Sequence, residues 1–349
     1  MTVSADGAAA QRKAGLAQTN AKRLLWLGLA AGVLVVLAIL SLAVGSKDIP
    51  LQSVLDALFA HGMTDENAIV VGLRLPRTVL GLLVGMALGV SGALIQALTR
   101  NPLADPGILG VNAGAAFAVS LGAGAFGLTS IQHSIWLAMI GAVLATVLVY
   151  AIGSVGRDSA TPVRLTLAGI AIGAVLTGIT SGLALLDPVT FDRLRHWRAG
   201  SLAAPGLDAI TPILPFVLAG LGLAVLASRP LNAIALGDDL AASLGANITR
   251  VRTIVVLAVT LLCGAATAAA GPIGFVGLMV PHVARWIVGP DQRWIIAFTL
   301  VLSPILLLAA DIVGRIVMRP GELQVGIVTA FVGAPVLIVL ARRRKVSGL

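Results

Sequence analysis

Apolar runs about as long as a bilayer is thick recur along this chain, and no soluble fold can absorb them. The first, Leu24 to Gly45, carries no charge and has about the 20 residues a helix needs to span the hydrocarbon core. Further runs follow at about 75–98, 107–127, 134–154, 165–186, 209–228, 251–270, 274–288, 294–314 and 323–341. Only 11% of the residues are charged and 58% are hydrophobic, against roughly 25% charged in a soluble domain. The expected fold is therefore an all-α polytopic membrane protein with about ten transmembrane helices. The shortest run, 274–288, is the weakest of the ten.

The formal net charge of +9 does not mark a nucleic-acid binder. The basic residues lie in short connectors between apolar runs and not on one amphipathic face, so they set orientation. With ten spans both termini share one side, which then carries sixteen Lys and Arg, from Arg12, Lys13, Lys22 and Arg23 through Arg100, Arg157 and Arg285 to Arg342, Arg343, Arg344 and Lys345. The opposite side carries eight. That bias predicts cytoplasmic termini. Residues 1–22 read as a polar, disordered cytoplasmic tail, residues 23–345 as the membrane domain and 346–349 as the cytoplasmic end. The first run is too long for a signal-peptide core and reads as a retained span. The single cysteine, Cys263, excludes an internal disulfide and reads as a small buried residue.

Glycine and proline mark where spans pack or break. Gly81, Gly85 and Gly89 recur every four residues in the second run and form a small face that lets backbones approach closely in lipid. Two interrupted segments follow the second and seventh runs: 101–110, with Asn101 and Pro102, and 271–281, with Gly271, Pro272, Gly274, Gly277 and Pro281. They are five spans apart and on opposite faces, as two five-helix inverted repeats would place them, and such paired breaks point to the moving or substrate-lining parts of a transporter.

What is missing is equally informative. No ionisable residue falls near the middle of a run, so no site for a coupling ion is evident. A subunit driven by a partner fits this absence, and so does a passive channel. A secondary transporter would have to build its ion site from backbone carbonyls. No P-loop, nucleophile elbow, CxxC pair or His–Glu metal motif is present, so no catalytic residue, cofactor or metal site is expected. His282 reads as a structural histidine at a helix end.

The longest cytoplasmic connector, 229–252, carries the strongest mechanistic signal. Leu231, Ile234, Leu236, Leu240 and Leu244 recur at roughly helical spacing, Asp238 and Asp239 offer a polar side, and Gly237 and Gly245 bracket the segment. An interfacial helix is normally basic on its polar face. The acidic face here favours docking into a partner's groove. On the outer side, Arg74, Arg77 and Arg315 either anchor span ends at the interface or guide an acidic partner.

The strings LRLPRTVLGLLVGMALGVSGALIQALTRNPLADPGILGVNAGA (73–115), LGDDLAASLGA (236–246), GPIGFVGLMVPHVAR (271–285) and GELQVGIVTAFVGAPVLIVLARR (321–343) resemble the FecCD family of ABC importer permeases, which handle iron–siderophore, haem and cobalamin uptake. TPVRLTLAG, ITSGLALLDP and DRLRHWRAGSL are most similar to its FepD-type branch, the permeases for ferric enterobactin-type catecholate siderophores. The resemblance implies a type II ABC importer permease, paired with a second and more often non-identical permease. It also implies a cytoplasmic ATPase on each subunit and a substrate-binding protein on the outer face. It assigns Arg74, Arg77 and Arg315 to contacts with acidic residues of that binding protein, and Leu236 to Gly245 to a coupling helix in the ATPase cleft.

Overall fold

The computed structural model describes residues 15–17, 19–45, 47, 49–59, 64–154, 161–186, 188–203, 206–207 and 210–342. The basic residues Arg12, Lys13, Arg157, Arg343, Arg344 and Lys345, and the end segment 346–349, lie outside the described residues.

Every expected run forms a helix. In chain order the helices are α1 (Asn20–Ala43), α2 (Leu51–Phe59), α3 (Asp65–Ile69), α4 (Leu75–Thr99), α5 (Val111–Phe126), α6 (Ile131–Gly153), α7 (Pro162–Leu186), α8 (Pro188–Arg198), α9 (Leu214–Ile234), α10 (Asp238–Ser243), α11 (Ile248–Ala270), α12 (Val276–Val288), α13 (Gln292–Val317) and α14 (Val325–Arg342). The ten apolar runs correspond to α1, α4, α5, α6, α7, α9, α11, α12, α13 and α14. The short helices α2, α3 and α8 were not legible as spans because they are too short and too polar to cross. Val54 and Ala57 of α2 instead close a small outer core with Leu42, Ile49 and Val70.

Among the described residues, seven helices are long and apolar enough to cross a membrane, while α5, α12 and α14 are shorter. The short helices α5 and α12 hold the third place in each half of the chain, with 16 and 13 residues, about 24 and 20 Å of helix. Among the seven long helices the second span of each half is its most buried: 83% of the apolar window ending in α4 and 72% of that in α11 lie inside the protein, against 6% for α1 and 17% for α7. Spans five apart run in opposite senses, so this shared pattern is that of two inverted five-helix halves packed around α4 and α11.

The glycine face of α4 is where the bundle closes. A Cβ on Gly81 would lie 2.7 Å from Leu308 Cδ2, one on Gly85 2.7 Å from Pro304 Cα, and one on Gly89 would strike the Ser303 side chain. Here α4 meets α13. One turn further on, a Cβ on Gly92 would strike the carbonyl of Gly277, and one on Gly277 would lie 2.7 Å from Leu88 O, so α4 and α12 cross backbone to backbone. Such approach supplies the dispersion contact that drives helix association in lipid.

The described residues ahead of α1 lie against the end of α12. α1 starts at Asn20 behind the N-cap Thr19, and Leu16 and Ala17 donate backbone N–H groups to Trp286 O and Ile287 O at 3.1 and 2.8 Å. Arg23 donates to Val288 O at 3.0 Å and lies over the Trp294 ring. These bonds cover carbonyls that the last turn of α12 leaves without helical partners.

Replacing Gly92 with Ala should therefore destabilise the purified protein by about 1–3 kcal/mol through overpacking. Gly28→Ala on α1, where an added Cβ meets nothing within 4 Å, should leave it unchanged. Thermal unfolding of both variants in detergent checks this.

Candidate docking and coupling sites

The candidate docking site is built at the end of α1. The last carbonyls of a helix have no donors of their own and carry the negative end of its dipole. α1 has no basic residue in its last turn, and two arginines from other helices take that place. Arg74, delivered by a π-helical turn over Val70–Arg74, donates through Nη1 to Leu42 O at 2.8 Å and Ala43 O at 2.5 Å, and through Nη2 to Lys47 O. Arg315 donates to Ser41 O at 2.9 Å, Val44 O at 2.7 Å and Ser41 Oγ at 2.8 Å. The Ser41 hydroxyl also lies 2.9 Å from Thr78 Oγ1 on α4.

Asp311, fully buried on α13, is the common counter-ion. It accepts from Arg315 at 2.9 Å and from Arg77 Nη2 and Nε at 2.7 and 3.0 Å. Arg77 Nη1 turns outward to Glu322 at 2.6 Å. The three arginines expected to face an acidic partner are therefore placed unequally. Arg74 and Arg315 are 6% and 2% exposed and are committed to α1, because buried guanidinium donors must be satisfied inside the protein. Only the Arg77–Glu322 pair reaches the solvent edge.

At the other end of α4 the candidate coupling segment is a compact turn. Leu231 and Ile234 belong to α9 and are buried, whereas Leu236, Leu240 and Leu244 are 50%, 49% and 64% exposed. The expected single amphipathic stretch thus divides in two. Gly237 and Gly245, at φ +115° and +82°, take backbone conformations that side chains disfavour and isolate the six-residue α10 between them. Asp238 pairs with Arg100 at the end of α4 and, at 2.6 Å, with Arg252 at the start of α11. Its carboxylate clamps α10 to the two central spans and leaves Asp239 and the three leucines facing outward. Asn232 ties the end of α9 to α13, accepting from Gln292 N–H at 2.9 Å and donating to Asp291 at 2.9 Å.

Between these two surfaces the interrupted segments meet. Residues 271–275 form no regular helix. A side chain at Gly271 would collide with the Trp197 carbonyl, and Ser201 N–H donates to Ala270 O at 2.8 Å, which ties this end to the α8–α9 connector. Pro272 O lies against Gly200, and Gly274 has open space around it. Phe275 adopts a left-handed φ of +68° with its ring against Gly333 of α14. The far end of the segment reaches the first one: an added Cβ on Gly277 would lie 3.3 Å from Pro106 Cγ, and His282 Nε2 lies 2.7 Å from Pro102 O. Asn101 Oδ1 accepts from Leu103 N–H at 2.9 Å, and Asp105 Oδ1 from Gly107 N–H at 2.8 Å. Burial raises the Asp105 carboxyl above its ordinary pKa, with the Gly107 bond opposing it.

Sequence reasoning missed Gln96. Pro281 has no N–H for the carbonyl four residues back, that of Gly277. The fully buried Gln96 carboxamide supplies the missing donor, at 3.2 Å to Gly277 O and 3.1 Å to Leu278 O, while its oxygen accepts from Arg285. A lone amide within the apolar second run was the available signal.

Arg315→Met should cost roughly 3–5 kcal/mol of stability, the cost of breaking a buried charge network by one partner. Denaturant or thermal unfolding of the purified protein in detergent tests this, and a loss below about 1 kcal/mol would mean that Arg315 does not hold α1.

Comparison with known proteins agrees with this architecture. The FecCD transport family matches residues 33–343. The ferric enterobactin transport system permease protein FepD of Escherichia coli (strain K12) is 52% identical over 317 residues, covering 90% of this chain and 94% of that protein. The iron(3+)-hydroxamate import system permease protein FhuB of Bacillus subtilis (strain 168) is 42% identical, covering 88% of this chain and 80% of that protein. A solved structure of a protein assigned to the metal-chelate type of ABC transporter, in an inward-facing conformation, superposes with a TM-score of 0.80 at 27% identity, over 93% of this chain and all of that one. From the family match and these relatives, this multi-pass membrane chain belongs to the FecCD transport family.

Proposed function

We propose that this chain is the membrane-spanning permease subunit of an ATP-binding-cassette importer that moves an iron(III)–siderophore complex of the catecholate type across the cytoplasmic membrane. The observation that carries the substrate class is the 52% identity to the ferric enterobactin permease along 90% of the chain. A cobalamin or haem cargo within the same family is the second reading, favoured by nothing in the site itself. The chain is a non-catalytic transport subunit, and the energy comes from the partner's ATP hydrolysis.

The physical case rests on two surfaces joined by rigid spans. On the cytoplasmic side Leu236, Leu240 and Leu244 form an exposed apolar knob on a helix braced by Asp238, the form of a helix that seats in a partner's groove. Because Asp238 holds Arg100 and Arg252, displacement of α10 pulls on α4 and α11 together, the most buried long spans of the two halves. Closure of two ATPases thereby tilts the halves between outward- and inward-open states. The outer face receives the substrate-binding protein at the Arg77–Glu322 rim, while Arg74 and Arg315 order the platform beneath it. Both termini are cytoplasmic, and the second permease in the dimer is a related, non-identical chain. An ion-driven secondary transporter leaves the leucine knob without a role.

Exchange of Leu240 and Leu244 for Asp should weaken ATPase retention about thirtyfold, the effect of losing ~2 kcal/mol at an interface hot spot, with outer docking retained. Co-purification with the ATPase reads this, and an intact complex would remove the coupling assignment. For the whole reading, the complex reconstituted in lipid with its ATPase and binding protein should take up labelled ferric enterobactin only when ATP and loaded binding protein are both present. Uptake that follows an ion gradient without ATP would overturn it.

A further inference from the structure

We propose that Glu322 is an in-chain placeholder for a carboxylate of the docking partner, occupying the one outward-facing donor of Arg77 until an acidic side chain of the substrate-binding protein displaces it. This rests on the docking reading above. The guanidinium of Arg77 is divided between two kinds of partner. Nε and Nη2 are held by Asp311, whose side chain is 1% exposed. Nη1 is held by Glu322 alone, whose side chain is 35% exposed and sits in the turn between α13 and α14. The buried bonds fix the position and direction of Arg77, so Nη1 is presented in one orientation. The bond to Glu322 is the only one of the set that solvent reaches.

Charge sets the chemistry of the incoming group. Asp311 is shared by Arg77 and Arg315, so one carboxylate faces two guanidiniums and Glu322 supplies the second negative charge. If Glu322 swings into water, Arg77 is left with a directed, under-neutralised N–H fork that another carboxylate fits. The Glu322 end of the pair is open to solvent, so exchange of its carboxylate for a partner's costs little. The same residue screens the field that would draw an acidic partner in. The turn carrying Glu322 is also the root of α14: Leu323 N–H donates to Gly314 O at 3.0 Å and Gly326 N–H to Gly200 O at 3.1 Å. Exchange at Arg77 therefore reaches the last span.

The test uses the intact permease–ATPase complex in lipid nanodiscs and the loaded substrate-binding protein of the same host, with association and dissociation followed by interferometry. Glu322→Gln should raise the association rate roughly fivefold at low ionic strength, a gain that shrinks as salt screens the rim. Arg77→Gln leaves the Asp311–Arg315 pair in place and should abolish the gain and weaken docking. Unchanged or weaker docking in Glu322→Gln, with Arg77→Gln impaired, overturns the placeholder and leaves the docking reading standing. Undiminished docking in Arg77→Gln overturns the docking reading itself. Should Arg77→Gln fail to assemble, the rate for Glu322→Gln still decides the placeholder.

Discussion

In a bilayer the backbone has no water to fall back on, and every N–H and C=O at membrane depth must find its partner inside the protein. That constraint accounts for the long polar side chains at the ends and breaks of several apolar spans. Arg74 and Arg315 serve the end of α1. Gln96 serves the carbonyl that Pro281 leaves open in α12. The segment Leu16–Arg23 serves the other end of that helix. Each is placed where a helix stops or is interrupted, and each comes from an element remote in sequence. The bundle is therefore held at its irregular points by polar side chains and at its regular ones by glycine-lined backbone contact.

The two kinds of bond have different consequences for motion. Glycine-lined crossings such as Gly92 over Gly277 and Gly85 over Pro304 are stiff, because closely packed backbones have no side chain to rearrange. The polar ties at the surfaces can exchange partners. Asp238 links α10 to α4 and α11, and Arg77 links α4 to α13 and the turn before α14. Rigid spans with exchangeable ties at both ends suit a protein whose work is to move halves against each other while keeping each half intact.

Much of the fold was legible before the structure. The ten spans follow from run length, and the central place of α4 from the four-residue spacing of Gly81, Gly85 and Gly89. The exposed knob at Leu240 and Leu244 follows from apolar spacing beside acidic residues. The arginines were legible as an outer group but not in role, because periodicity says where a charge sits along a helix and not which carbonyl it meets 31 or 274 residues away. Glu322 carried no pattern at all, and Gln96 only that of a lone amide in an apolar run. The two interrupted segments were read on opposite faces, yet the helical end of the second, at Gly277, meets the first at Pro106.

The sequence by itself determined that this chain lives in lipid, how many times it crosses, and which connector carries exposed leucines, since these depend on transfer free energies summed over local windows. Only the tertiary structure decided which charges are spent on holding the fold and which remain exchangeable. That division rests on burial and on pairwise geometry between distant helices, and a guanidinium surrounded by carbonyls is indistinguishable in sequence from one facing water.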